Sequence, residues 1–172
     1  MKKTIKLVVE NNHNILKTIG KITTGLYNTA NYQRIKEWKD SDKIPNYYDQ
    51  CFDLKDNHLS RLLFSQVAQQ TLKELNNGYK SWYSLRKTDP EAKPPKFRKK
   101  NTPVSIWWTP FSFKILSDKE IQFNVKNLDI PENFIVCKIS SDSRFNLSEM
   151  NVKMINISFD KNTIFANIYF EF

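Results

Sequence analysis

The side chains best suited to chemistry lie in one basic segment with interleaved aromatic rings, from Lys80 to Lys100. Cations neutralise phosphates and flat rings stack on bases, so the segment is suited to a nucleic acid. The alternative is a solvated linker after a core helix, because runs of charge are often only solvated faces. The cations are Lys80, Arg86, Lys87, Lys93, Lys96, Arg98, Lys99 and Lys100, opposed by Asp89 and Glu91, and the rings are Trp82, Tyr83 and Phe97.

Residue spacing indicates no catalytic or metal-binding cluster. His13 and His58 are isolated, so we predict surface or capping roles for both. Cys51 and Cys137 are far apart and no CxxC motif is present, which predicts reduced thiols and no zinc finger. We therefore expect no catalytic residue and no cofactor in this chain.

The charge is concentrated in the first part of the chain. The net charge of the 172 residues is +9, and residues 1–101 hold 20 cationic against 10 acidic side chains. Residues 102–172 hold 7 cationic and 8 acidic side chains, so we expect the basic surface to lie before residue 102. A basic surface of this kind predicts a nucleic acid rather than a membrane as its partner. No signal peptide or membrane-spanning run is recognised, and we predict a cytoplasmic protein.

Two apolar stripes at helical spacing predict two long helices. The first extends from about His13 to Trp38, and Gly20 and Gly25 weaken it locally. The second is predicted as one continuous helix from about His58 to Lys87, capped by Asp56 or Asn57 and ended by Pro90, Pro94 and Pro95. Between them we expect a loop with a helical turn near residues 47–52. The stripes are Ile15, Ile19, Ile22, Leu26 and Ala30, and then Phe64, Ala68, Leu72, Leu75, Tyr79 and Trp82.

Alternating residues predict strands at both ends of the chain. One is Thr4–Val9, and a hairpin around Asp160-Lys161-Asn162 ends the chain. Many short strands without helices favour a small antiparallel, OB-like β-barrel, which gives an α+β fold with an inserted lobe of two long helices. The predicted divisions are 1–12 (first barrel strand), 13–90 (helical lobe) and 91–172 (barrel). The later strands are Val104–Trp108, Phe111–Leu116, Ile121–Val125, Phe134–Ile139, Val152–Phe159 and Thr163–Phe172.

Three stretches carry a resemblance to a known family. They are LYNTANYQRIKEW from Leu26, SQVAQQTLKELNNGYKSWYSLRK from Ser65 with PPKFRKK after it, and WWTPFSFKI from Trp107. In this order they resemble the N-terminal half of the IS200/IS605-family OrfB (TnpB) proteins, transposon-encoded RNA-guided nucleases related to Cas12. The resemblance implies a wedge barrel interrupted by a helical recognition lobe, with guide-type RNA and target DNA as partners. It also implies that the RuvC-like nuclease carboxylates, their divalent metals and a zinc-binding insert lie outside this chain.

The resemblance and the basic segment together select candidate contact residues. Amide side chains read adenine edges in the major groove, so the helix matching the family motif is expected to face DNA. Gln69 and Gln70 are alternatively plain helix-surface residues. For the rings of Tyr32, Trp82, Trp107 and Trp108, stacking on bases competes with core packing, which we favour. The predicted DNA contacts are Ser65, Gln66, Gln69 and Lys73, and the predicted phosphate contacts are Lys93, Lys96, Arg98, Lys99 and Lys100. Lys80 and Tyr32 complete the predicted set of nucleic-acid-binding residues.

Three functions remain open from the sequence. The first is a nucleic-acid-binding module without a nuclease site. The second is half of a split RNA-guided nuclease, completed by a RuvC-bearing chain that would bring a divalent metal. The third is a protein-interaction domain that regulates a full-length relative.

Overall fold

The computed structural model describes residues 1–126 and 128–171. Within these described ranges, four helices lie between the first strand and six later strands, and a 3₁₀ turn follows β5 at Leu147–Glu149. The last predicted residue of the final strand, Phe172, lies outside the described residues. The elements are β1 (Lys2–Val8), α1 (His13–Ser41), α2 (Tyr47–Asp53), α3 (His58–Leu62), α4 (Ser65–Leu85), β2 (Ile106–Trp108), β3 (Phe113–Ser117), β4 (Glu120–Asn124), β5 (Phe134–Lys138), β6 (Asn151–Asp160) and β7 (Thr163–Glu171).

The strands form two antiparallel sheets. The larger has the order β1-β7-β6-β2 and the smaller the order β3-β4-β5. The predicted terminal hairpin is confirmed: Asp160 pairs with Thr163, and Lys161 adopts a positive φ of 52° in the tight turn between them. Apolar residues alternate along both strands, so one face of the hairpin supplies much of the core.

The two sheets meet where β1 ends. Val9 forms an isolated antiparallel bridge with Ile139, and the Glu10 amide donates to the Lys138 carbonyl at 2.8 Å. The predicted α+β class with antiparallel sheets is therefore confirmed, with β1 joined to the later strands and the helices inserted after it. A closed barrel is not shown, because no ladder joins β2 to β3 among the described residues.

The helices agree with prediction except at one break. α1 follows its predicted span and the expected helical turn is α2, but the predicted continuous helix from His58 is wrong. Leu63 and Phe64 are extended, with ψ of 147° and 135°, and separate α3 from α4. The break turns Leu63 into the core, where it is 2% exposed, and burying a leucine contributes about 2 kcal/mol. Asn57 caps α3 as predicted, through its side-chain oxygen.

The core between helices and sheets centres on Trp108. Its side chain is fully buried, its ring centroid lies 4.6 Å from that of Phe123, and its indole N–H donates to the Asn124 carbonyl. Gly20 of α1 allows the chain before β2 to cross closely, since a Cβ there would lie 2.8 Å from the Cβ of Pro103. Within the described ranges, no helix has both the length and the apolar character needed to cross a membrane.

Candidate nucleic-acid interface

Residues 86–105, here called the connector, run from the end of α4 back along α1. The Trp82 indole donates to the Ala92 carbonyl at 2.9 Å, and the Asn31 amide donates to the Pro95 carbonyl at 3.0 Å. Farther along, the Thr24 hydroxyl donates to the Thr102 carbonyl at 2.7 Å. Successive connector residues therefore meet successively earlier turns of α1, and the connector lies between α1 and α4.

Asn28 holds the centre of the connector with two hydrogen bonds. Its side-chain amide donates to the Arg98 carbonyl at 2.9 Å, and its side-chain oxygen accepts from the Arg98 backbone N–H at 2.8 Å. A primary amide that bonds both backbone groups of one residue imitates a neighbouring β-strand. The path of the connector is thus fixed largely by side chains of α1 rather than by a sheet.

Arg98 points inward, unlike the lysines around it. Its guanidinium donates to Glu74 Oε1 at 2.7 Å and lies 3.7 Å above the centroid of the Tyr27 ring. The side chain is 18% exposed. Burial raises the pKa of the Tyr27 hydroxyl, while the positive charge of Arg98 acts in the opposite direction. Arg98 therefore anchors the connector here, and its predicted phosphate contact stays a prediction.

Four other predicted phosphate ligands form an exposed row along the connector. We call Lys93, Lys96, Lys99 and Lys100 the lysine row; all four are exposed. Lys80 of α4 is exposed as well. Within residues 1–126 and 128–171 none of these five forms an ion pair. Their charges are free to meet an external anion.

Exposed rings accompany the lysine row. Tyr32 follows Asn31 and is 60% exposed, so the favoured core packing is wrong for this ring. Phe97 precedes Arg98 and is 51% exposed. Trp82 and Trp108 are instead buried at 6% and 0%, which confirms core packing for both. Trp107 is half-buried and lies against the Tyr169 ring with a centroid distance of 5.4 Å.

The predicted DNA-contacting residues occupy the outer face of α4. Ser65, Gln69 and Lys73 are exposed, whereas Gln66 is half-buried and its amide oxygen accepts a hydrogen bond from the Thr109 hydroxyl. Ser65 and Gln69 open into one cavity beside α3. Lys73 lines a different concavity of about 250 Å³ with Trp107 of β2. The structure thus places Ser65 and Gln69 at one cavity and Lys73 at another, and Gln66 is not among the described residues that line either of them.

The residues of α1 that hold the connector do not stand out in the sequence. Thr24, Asn28 and Asn31 are spaced at i, i+4 and i+7, so they form a polar stripe on one face of α1. That stripe is the signal that could have found them. Polar residues on a helix usually face solvent, however, and nothing in the spacing says that a later segment covers these.

No protein-family model matches the chain, and a search of curated proteins finds no match. Among the described residues, no group of three or more His, Cys, Asp and Glu side chains is placed to hold a metal ion.

Proposed function

We propose that this chain is a nucleic-acid-binding module, acting in the cytoplasm, whose contact surface is the lysine row with Lys80, Tyr32 and Phe97. One observation carries the proposal: the connector is held by side chains of α1, and the four lysines of the lysine row are exposed and form no ion pair within residues 1–126 and 128–171. A solvated linker has no reason to be held along its length by amide and hydroxyl side chains of another helix.

Because these hydrogen bonds already order the connector, binding of a ligand costs little further backbone entropy. Fixing a flexible residue costs about 1–2 kcal/mol of backbone entropy, and the connector has already been ordered on folding. Each phosphate that meets a lysine releases a counterion, which drives association at low salt. Tyr32 and Phe97 add stacking surfaces that tolerate any base, so single strands suit this surface.

The finer assignment follows the family resemblance. We propose that the strands form a wedge-type, OB-like barrel, that residues 13–90 act as a recognition lobe, and that the ligands are guide-type RNA and target DNA. The outer face of α4, with Ser65, Gln66, Gln69 and Lys73, would then face DNA. A divalent metal would enter only with a RuvC-bearing partner chain.

The test compares two variants with equal charge loss. In the first, the four lysines of the lysine row are changed to glutamine. In the control, four lysines of the strands and their loops are changed in the same way: Lys114, Lys119, Lys138 and Lys161. Fluorescence anisotropy with a labelled single-stranded RNA and a DNA duplex, between 50 and 200 mM salt, gives the slope of log K against log[salt].

We expect the lysine-row variant to bind more weakly and to lose about 3 units of slope, at roughly 0.7–0.9 per phosphate contact. The control variant should keep nearly the full slope. Equal losses in both variants would mean that only net charge matters, and would refute a defined surface on the connector. No binding by the unaltered chain at 50 mM salt would refute the proposed function as a whole.

A protein partner is the second candidate, because α2 exposes two aromatic rings. Tyr48 and Phe52 lie one helical turn apart and are 78% and 70% exposed. Such a pair is typical of protein-binding sites. Under this alternative, a double change to serine would abolish binding to a RuvC-bearing chain or a full-length relative, and that binding would be insensitive to salt.

A further inference from the structure

The break between α3 and α4 opens a cavity of about 130 Å³. Its apolar wall is made by Leu54, Leu63, Ala68 and Leu72, and Leu63 reaches that wall because residues 63 and 64 are extended. A continuous helix would have placed Leu63 on the helical path and would have left no such opening. The cavity is smaller than the ~300–1,000 Å³ of common small-molecule sites, so it suits one ring system rather than a whole cofactor.

The rim of the cavity is polar and cationic. Lys55, Arg61 and Lys126 line it, and no carboxylate is among its described lining residues. Asp56 pairs with Arg61 at 3.1 Å, so the net positive charge of the rim comes mainly from Lys55 and Lys126. The Gln69 amide and the Ser65 hydroxyl add donors and acceptors at the same opening. The cavity is thus complementary to a flat, largely apolar group that carries hydrogen-bonding edges and an attached anion.

We infer that this cavity receives one unstacked nucleobase of a bound strand. The apolar wall would cover the faces of the base, the Gln69 amide would meet its polar edge, and the rim cations would meet the flanking phosphates. The inference rests on the proposed function, because the base belongs to the nucleic acid held by the lysine row. It adds a second contact of different chemistry, on α3 and α4 rather than on the connector.

Cys51 provides a built-in reporter, because it is half-buried and lines the cavity. The other thiol, Cys137, is fully buried, and burial raises its pKa to about 12. A neutral alkylating reagent such as iodoacetamide should therefore modify Cys51 first, at a rate that mass spectrometry of the peptides can follow. Each of the four common nucleoside 5′-monophosphates is titrated during alkylation, with ribose 5-phosphate as the control lacking a base.

We expect at least one nucleoside monophosphate to slow Cys51 alkylation severalfold at saturation, whereas ribose 5-phosphate leaves the rate unchanged. Gln69→Leu should weaken that protection about tenfold, and the matched Gln70→Leu should not, because Gln70 lies outside the cavity. Equal protection by ribose 5-phosphate, or none by any nucleotide, would overturn the inference.

A second measurement separates this inference from the proposed function. Labelled single strands, intact or with one abasic position moved stepwise along the strand, are titrated at 50 mM salt. The inference predicts one position at which base loss weakens binding, and predicts that Gln69→Leu removes this position dependence. Uniform affinity at every position overturns the inference but leaves the lysine-row surface standing. Failure of all strands to bind overturns both.

Discussion

The connector and the β6–β7 hairpin are both held by hydrogen bonds, but the groups that form these bonds differ. The hairpin carries its own ladder of backbone hydrogen bonds and buries isoleucines of both strands in the core. The connector is held through its backbone groups by Thr24, Asn28 and Asn31 of another helix. A segment that offers its side chains to a ligand cannot also bury them, so neighbouring side chains must supply its order.

Removing a buried apolar side chain from the hairpin should therefore lower the free energy of unfolding far more than the same change at an exposed strand position. Ile168 is fully buried and lies between Ile5 of β1 and Ile155 of β6. We expect Ile168→Ala to lower the free energy of unfolding by about 4 kcal/mol. Urea denaturation measures this, and Leu116→Ala, at a residue 42% exposed, is the control with an expected loss under about 0.5 kcal/mol. Similar losses in both variants would contradict the described core.

Alkaline pH should weaken the helical layer that carries the connector. Tyr79 donates to Asn31 Oδ1 at 2.7 Å, and burial raises the pKa of its hydroxyl from 10.0 to about 12. The folded state thus retains a proton that the unfolded state loses above pH 10. The stabilisation is complete below pH 10 and is lost as the pH rises towards 12, at about 1.4 kcal/mol per unit.

Tyr79→Phe isolates this contribution from the other ionising groups. At pH 8 the variant should be less stable by about 1 kcal/mol, because it lacks the hydrogen bond to Asn31. Between pH 10 and 11.5 its stability should fall less steeply than that of the unaltered chain, and the difference should shrink or reverse. If the stability of the two proteins fell in parallel over this range, the Tyr79 hydroxyl would ionise equally in the folded and unfolded states.

Arg98 and Lys99 are adjacent cations for which we propose different roles, and separate substitutions of the two residues test this difference. Arg98→Ala removes the contacts to Glu74 and Tyr27, so we expect a loss of about 2 kcal/mol in unfolding free energy. Lys99→Ala should change stability by less than about 0.5 kcal/mol but lower the salt slope of nucleic-acid binding by about 1. If the two variants behaved alike in both assays, Arg98 would be a surface cation.

Most of the fold could be predicted from the spacing of apolar residues, because this spacing indicates which face of a helix or strand is buried. The alternation in residues 151–171 indicated the final hairpin, and the stripe from Ile15 to Ala30 indicated α1. The break at Leu63 and Phe64 could not be foreseen, since no glycine or proline marks it. It depends on a core position that only the packed structure supplies, and tertiary packing there outweighs local helical preference.

The residues that make up the candidate interface could be predicted from the sequence, but the directions in which their side chains point could not. Clustered lysines and rings identified the connector, and the structure leaves the lysine row exposed. Arg98 belongs to the same run of cations, yet it turns inward because Glu74 and Tyr27 lie beneath it. Those partners are more than twenty positions away in the chain. Local charge patterns cannot distinguish an anchoring cation from a binding one when the partner is distant.

The pairing of β1 with β7 has a consequence for synthesis in the cell. Lys2 lies opposite Glu171, so β1 leaves the ribosome long before its partner exists. At roughly 5–20 residues per second this wait lasts about ten to thirty seconds. During that time β1 is an unpaired strand that other chains could join. Its lysines, Lys2, Lys3 and Lys6, discourage such pairing, since edge charges repel neighbouring strands. These lysines would therefore protect β1 from pairing with other chains until β7 has been synthesised.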